Sequence, residues 1–223
     1  MTAERVVVVG GGLAGATVIR RLRDLGHEGS LTLVGAEQHV PYERPELSKG
    51  YLAGRSDFEK LQVIPRAGYA ELDVALRLGE PATGLDTARR RLRLGAEDLS
   101  YDVLVVATGS SNVRPKLSGM ELDGVLQLRT VEDADALRRR ADPGSHVVLV
   151  GAGFIGCEVA ATLRSAGAEV TLVDAQPGPL WGPLGQQLSQ RVRAWHERSG
   201  VRLLMGVGVA ALQGAGAVQS VLL

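Results

Sequence analysis

Residues 6–34, VVVVGGGLAGATVIRRLRDLGHEGSLTLV, return as residues 147–173, VVLVGAGFIGCEVAATLRSAGAEVTLV, at a constant offset of 141 until a two-residue gap after Gly26 and Gly167. Each copy passes from β-branched residues through G-x-G-x-x-G into a segment with apolar residues at helical spacing, then a glycine stop and a second apolar run. That pattern predicts a strand, a helical crossover and a parallel strand, twice over. The crossover is right-handed and lays its helix on one sheet face, so each copy opens a doubly wound domain. Val18, Leu22 and Leu25 are expected to face the sheet in the first helix, and Val159, Leu163 and Ala166 in the second.

The glycine spacing has a physical purpose. The first glycine permits the tight turn from strand to helix, the second lets backbone approach a diphosphate, and the third lets helix and strand pack closely. The unpaired N–H groups and the dipole at the helix N-terminus then favour the anion. The positions are Gly10, Gly12 and Gly15 in the first copy, and Gly151, Gly153 and Gly156 in the second. A lone match could be a structural turn; two, each between strand and helix, point to two dinucleotides. A carboxylate at the end of the second strand would accept hydrogen bonds from an adenosine ribose. Asp174, 18 residues after Gly156, meets that requirement, and with no Arg in residues 175–177 it favours NADH over NADPH. The first copy has Gly35 and Ala36 there, with Glu37 the nearest carboxylate.

Composition excludes other classes. The 25 Lys and Arg balance 25 Asp and Glu, and no basic run exceeds three residues, so a nucleic-acid binder is not expected. The longest apolar stretch, residues 6–19, is too short and too glycine-broken to span a membrane. The single cysteine, Cys157, rules out an internal disulfide framework and a redox pair, and a reducing, cytoplasmic compartment is expected. His27, His39, His146 and His196 lack metal-ligand spacing, so no metal site is expected.

Between the repeats, Val74–Leu78 and Arg91–Leu94 alternate like strands and lead to a core strand over residues 103–107, which suggests a small β-meander. Residues 112–145 form a connection with a helix in TVEDADALRRR. A helix over 185–199, a strand over 202–205 and an unfinished hairpin are expected after Asp174. The fold class is therefore α/β, with two Rossmann-like βαβ nucleotide-binding domains: residues 1–112 for the first segment of an FAD domain and 113–223 for an NAD(H) domain.

Five ordered stretches carry a resemblance: VVVVGGGLAG at the N-terminus, PYERPELSKGYLAG at 41–54, YDVLVVATGS at 101–110, LRTVEDAD at 128–135 and VVLVGAGFIGCEVAATL at 147–163. Together they resemble the FAD-dependent ferredoxin reductases of the putidaredoxin and rubredoxin reductase type. The resemblance implies an NADH-reduced FAD that passes electrons singly to a ferredoxin or rubredoxin type carrier. It implies that Gly10, Gly12, Leu13, Ala14 and Gly15 cradle the FAD diphosphate, and that Ala36, Glu37 and Arg44 belong to the FAD site. By the same resemblance Ala82 touches the adenine side, Ala107, Thr108 and Gly109 line the cofactor, and Arg129 contacts FAD. Lys49 and Glu158 would pair beside the flavin; a first-turn carboxylate favoured by the helix dipole is the simpler reading of Glu158. Phe154, beside Ile155, is either a gate over the nicotinamide site or a core residue.

Ala36 departs from the acidic residue usual in that family, and the loop at 41–54 has no Cys, unlike the disulfide reductases of the wider superfamily. Relative to the family, the C-terminal interface domain and the remainder of the NAD domain are expected to be absent. A non-catalytic dinucleotide-binding remnant and half of a split reductase are the rival expectations. Oligomeric state is not readable from the sequence.

Overall fold

A computed structural model describes residues 4–223. These residues form two compact units: one runs up to Glu43 and resumes over Asp57–Ser111, the other combines Arg44–Ser56 with Asn112–Leu223.

The first unit contains β1 (Val6–Val9), α1 (Leu13–Asp24), β2 (Leu31–Gly35), α2 (Arg66–Glu71), β3 (Val74–Leu78), β4 (Ala82–Asp86), β5 (Arg91–Leu94), β6 (Glu97–Ser100) and β7 (Val103–Val106). Its main sheet has the order β3-β2-β1-β7, all parallel. All four residues of β1 are buried, because both faces of the strand are covered. Val6 and Val8 pack with Ala16 and Ile19 of α1, whereas Val7 and Val9 pack with Leu92, Leu94 and Tyr101. Each such valine contributes about 1.5–3 kcal/mol by leaving water. The second face is covered by the meander β4-β5-β6, an antiparallel three-stranded sheet. Val74–Leu78 therefore belongs elsewhere than the sequence suggested: β3 joins the core sheet beside β2, and the meander is completed by residues 97–100.

The second unit contains α3 (Val131–Arg140), β8 (His146–Val150), α4 (Phe154–Ser165), β9 (Glu169–Asp174), α5 (Trp181–Arg198), β10 (Arg202–Met205), β11 (Ala211–Gln213) and β12 (Ser220–Leu222). The parallel sheet has the order β10-β9-β8, and β11 pairs antiparallel with β12 as the expected hairpin. Val148 and Val150 of β8 are exposed, whereas their counterparts Val7 and Val9 in β1 are covered by Leu92, Leu94 and Tyr101. The last helix begins at Trp181 rather than residue 185; Gly185, at φ 73°, kinks it.

The repeat is reproduced element for element, with one correction. Leu25 and Ala166 do not face their sheets; both are exposed C-cap residues. Helix α1 ends at Asp24 and α4 at Ser165, so the last position of each stripe falls one residue past the helix, where the chain turns away at Gly26 and Gly167.

Residues 44–56 join the second unit through buried side chains. Leu52 enters the core with Leu137 and Ala141. Tyr51 donates its hydroxyl to Asp135 Oδ1 at 3.0 Å and lies under the Arg138 guanidinium. Arg44 Nη1 donates to the carbonyl of Arg129 at 2.6 Å.

Candidate functional site

In the first unit, α1 starts at Gly12, an extended residue with no side-chain cap. Its opening N–H groups are thus left for a ligand. Leu13 and Ala14 are exposed there, and a side chain at Gly12 would meet nothing. The flanking glycines are crowded instead. A Cβ on Gly15 would overlap the Gly10 carbonyl oxygen, and one on Gly10, at φ 127°, would overlap that of Ala107. Glycine is required at both for β1, α1 and the end of β7 to converge. The Ala107 N–H donates to Val9 O at 2.7 Å, which brings Ala107, Thr108 and Gly109 beside the turn.

The strand-end positions of this unit are less uniform. Ala36 is exposed and offers only a methyl group, so it supplies no ribose acceptor. Glu37 does carry a carboxylate, and Tyr42 donates to its Oε2 at 2.6 Å. The N–H groups of Gly79 and Glu80 bond to Glu37 O and Gly35 O, at 2.8 and 3.0 Å, which draws the start of β4 and the exposed Ala82 toward the end of β2.

The second unit repeats the cradle. Gly153 is the extended, uncapped N-terminus of α4, and a Cβ on Gly156 would overlap the Gly151 carbonyl oxygen. Asp174 ends β9 and accepts from the Ala152 N–H at 2.6 Å and the Gln176 N–H at 2.8 Å. Each oxygen retains a lone pair for a ribose hydroxyl. Phe154 and Ile155 are 55% and 52% exposed at the head of the helix, which removes the core reading of Phe154.

Glu158 lies one turn further along α4. Lys49 Nζ donates to its Oε2 at 2.7 Å and to Pro45 O at 2.9 Å. The side chains of Lys49 and Glu158 remain 43% and 34% exposed. Burial on its own would raise the Glu158 carboxyl, but hydrogen bonds from Lys49 and Ser48, with the lysine charge, outweigh it and hold the group below the ordinary glutamate value. The pair is thus an ionised, partly accessible couple within one unit.

Two participants escaped the sequence reading. Ser48, 4% exposed, donates to Glu158 Oε2 at 2.5 Å, and Thr162 donates its hydroxyl to the Ser48 carbonyl at 2.8 Å. Thr162 stands four residues after Glu158, so both share a helix face; that spacing was the available signal. Cys157 is buried, and burial followed by the charges of Asp174 and Glu158 pushes its thiol up to about 11. Among the described residues no group of three or more His, Cys, Asp or Glu could hold a metal ion, and no helix is long and apolar enough to cross a membrane.

The residues around both turns fit a dinucleotide: an uncapped helix start, open space at the middle glycine and close packing at the third. Comparison with known proteins agrees. The family profile described as pyridine nucleotide-disulphide oxidoreductase matches residues 4–223. The chain is 42% identical over 213 residues to a probable ferredoxin reductase, CtmF, of Castellaniella defragrans, covering 95% of this chain and 52% of that protein. It is 37% identical over 222 residues to the ferredoxin--NAD(+) reductase subunit of the benzene 1,2-dioxygenase system of Pseudomonas putida, covering 99% and 54%. Among solved structures, the covalent putidaredoxin reductase–putidaredoxin complex aligns with a TM-score of 0.95 at 33% identity, over 100% of this chain and 55% of the other. The chain thus spans about half the length of the curated relatives it matches.

Proposed function

Because this chain belongs to the pyridine nucleotide-disulphide oxidoreductase family, we propose that it is the dinucleotide-binding part of an NADH-dependent FAD reductase. Its electrons pass to a small one-electron carrier of the ferredoxin type, with a rubredoxin as the finer alternative. The observation that carries this reading is the Lys49–Glu158 pair on the helix that begins at the second glycine turn. A family member built for disulfide chemistry needs a cysteine pair, and this sequence has one buried cysteine.

Bound FAD supplies the chemistry, accepting hydride from NADH and releasing electrons one at a time. The protein's part is to bind, orient and hold charge. In the first unit, the N–H groups after Gly12 bind the FAD diphosphate, Ala107, Thr108 and Gly109 line the cofactor beside the turn, and Glu37, oriented by Tyr42, is the nearest ribose acceptor. In the second unit, the turn Gly151–Gly156 binds the NADH diphosphate, and Asp174 accepts from the ribose and repels a 2′-phosphate. Phe154 and Ile155 shield the nicotinamide from water. Arg44 and Arg129, linked by their hydrogen bond, supply positive charge for the FAD. Lys49 Nζ keeps a positive charge at the redox ring, and Glu158 fixes that ammonium in place.

The decisive experiment is anaerobic titration of the purified protein, reconstituted with FAD, with NADH. Flavin absorbance is expected to be retained on gel filtration and bleached by NADH. Protein that retains no flavin while still binding NADH would overturn this reading in favour of a dinucleotide-binding module. The exposed methyl group of Ala36, at a position where a ribose acceptor is expected, is the observation that favours that second reading.

A further inference from the structure

The Lys49–Glu158 pair has an asymmetry. Every hydrogen bond to the carboxylate falls on Oε2: Lys49 Nζ at 2.7 Å and Ser48 Oγ at 2.5 Å. Oε1 takes none among the described residues. Ser48 is also one of only four buried polar or charged side chains among the described residues, and Thr162 is another. A buried hydroxyl is expected to be bonded. Ser48 has a single proton, and of its two acceptors, Glu158 Oε2 at 2.5 Å and Pro45 O at 3.2 Å, the closer and charged one receives it. Lys49 Nζ, 3.5 Å from Ser48 Oγ, completes the triangle.

A lysine on a flexible four-carbon stem does not by itself set the orientation of a half-exposed carboxylate, because both partners can swing together. Ser48 has one side-chain torsion and is anchored at its backbone: Thr162 Oγ1 donates to Ser48 O from the same helix that carries Glu158. The two contacts form a clamp. Residue 162 fixes the main chain of residue 48, and residue 48 fixes the side chain of residue 158.

We propose that Ser48 is a positioning residue that, with Lys49, saturates Oε2 of Glu158 and thereby presents Oε1 as the free accepting atom toward the bound dinucleotide, Thr162 holding Ser48 in register. The assignment of Oε1 to the dinucleotide rests on the flavoprotein reading above; the clamp is a property of the polypeptide alone. Oε1 then receives a hydrogen bond or a proton at the site while Oε2 stays committed to the ammonium.

The test follows the Glu158 carboxyl in protein labelled with ¹³C-glutamate, without added dinucleotide, its resonance assigned by Glu158→Gln. Ser48→Ala removes one charge-assisted hydrogen bond, and a roughly tenfold gain in the proton affinity of Glu158 is expected. Ser48→Thr, which retains the hydroxyl, restores the wild-type titration. Thr162→Val moves it in the same direction by a smaller amount and covers the case in which Ser48→Ala does not fold. A folded Ser48→Ala, or failing that Thr162→Val, that titrates as wild type would overturn the proposal. Failure of the wild-type protein to retain FAD rejects the flavoprotein reading and the dinucleotide-facing role of Oε1, while the clamp is still decided by the titration. A normal flavoprotein with an unmoved titration rejects the role of Ser48 alone.

Discussion

Asp174 Oδ2 accepts the backbone N–H of Ala152 at 2.6 Å, so the carboxylate at the end of β9 also holds the glycine turn that follows β8. On the proposed NADH-binding role, one side chain would serve two purposes, ordering the glycine turn and accepting from the ribose. Asp174→Ala leaves the Ala152 N–H without its acceptor, a loss of about 1.5–3 kcal/mol for a bond to a charged group. The expected result is at least a tenfold rise in the NADH dissociation constant and a smaller preference for NADH over NADPH. Calorimetric titration with both nucleotides measures this; an unchanged NADH affinity would show that the turn orders itself.

Two glycines of the first turn have separable effects. Gly15→Ala drives a Cβ into the Gly10 carbonyl, and a destabilisation of about 1–3 kcal/mol is expected for such overpacking. Gly12→Ala places its methyl in open space on an extended residue, so stability should stay within about 0.5 kcal/mol. On the proposed FAD-binding role of this turn, FAD retention is nevertheless expected to fall, since the methyl would enter the volume assigned to the diphosphate. Thermal melts alongside flavin-binding titrations distinguish the two variants. Equal melting temperatures would contradict the packing argument.

The Glu158 carboxyl is held below its ordinary value in the folded chain, by hydrogen bonds from Lys49 and Ser48 that outweigh burial. A depressed folded value means stabilisation that is fully present above the unfolded value, about 4.3, and lost as pH falls through the folded one. The pair is more than a third exposed on the lysine side, so its contribution is under about 1 kcal/mol. Lys49→Met should therefore lower the urea midpoint slightly at pH 7, with the gap closing at acid pH. A gap that persists at low pH would trace the effect to packing rather than charge.

Cys157 should be chemically silent. Its thiol is buried and pushed up to about 11, chiefly by burial, so the reactive thiolate is scarce at neutral pH. An aromatic disulfide reagent should label the native protein negligibly and the denatured protein fully, and Cys157→Ala should leave NADH-driven bleaching of the flavin unchanged. Rapid labelling of the native protein would reopen a redox role for the thiol.

The two βαβ units were legible because their signal is local and repeated: β-branched runs, glycine spacing and helical periodicity occupy contiguous stretches. Other features depend on distant partners. Val74–Leu78 alternates like a strand, but nothing within it says that it pairs with β2 rather than with the meander. The placement of residues 44–56 in the second unit depends on bonds such as Thr162 to Ser48, 114 residues apart. Lys49 and Glu158 were paired through family resemblance, whereas Ser48 and Thr162 carry residue types too common to stand out until the helix face is seen. Leu25 and Ala166 show the reverse error, a correct periodicity extended one step past the end of the element.

The excursion of residues 44–56 also imposes an order of events on the ribosome. Lys49 is synthesised 109 residues before Glu158, and at 5–20 residues per second that interval lasts roughly 5 to 20 seconds. The remaining segments of the first unit can emerge and pack within it. Leu47, Tyr51 and Leu52, all buried in the finished chain, have no core to enter until α4 and α3 have left the exit tunnel. A nascent chain stalled before residue 158 would carry Lys49 without its carboxylate partner, on a segment whose apolar side chains await residues made much later.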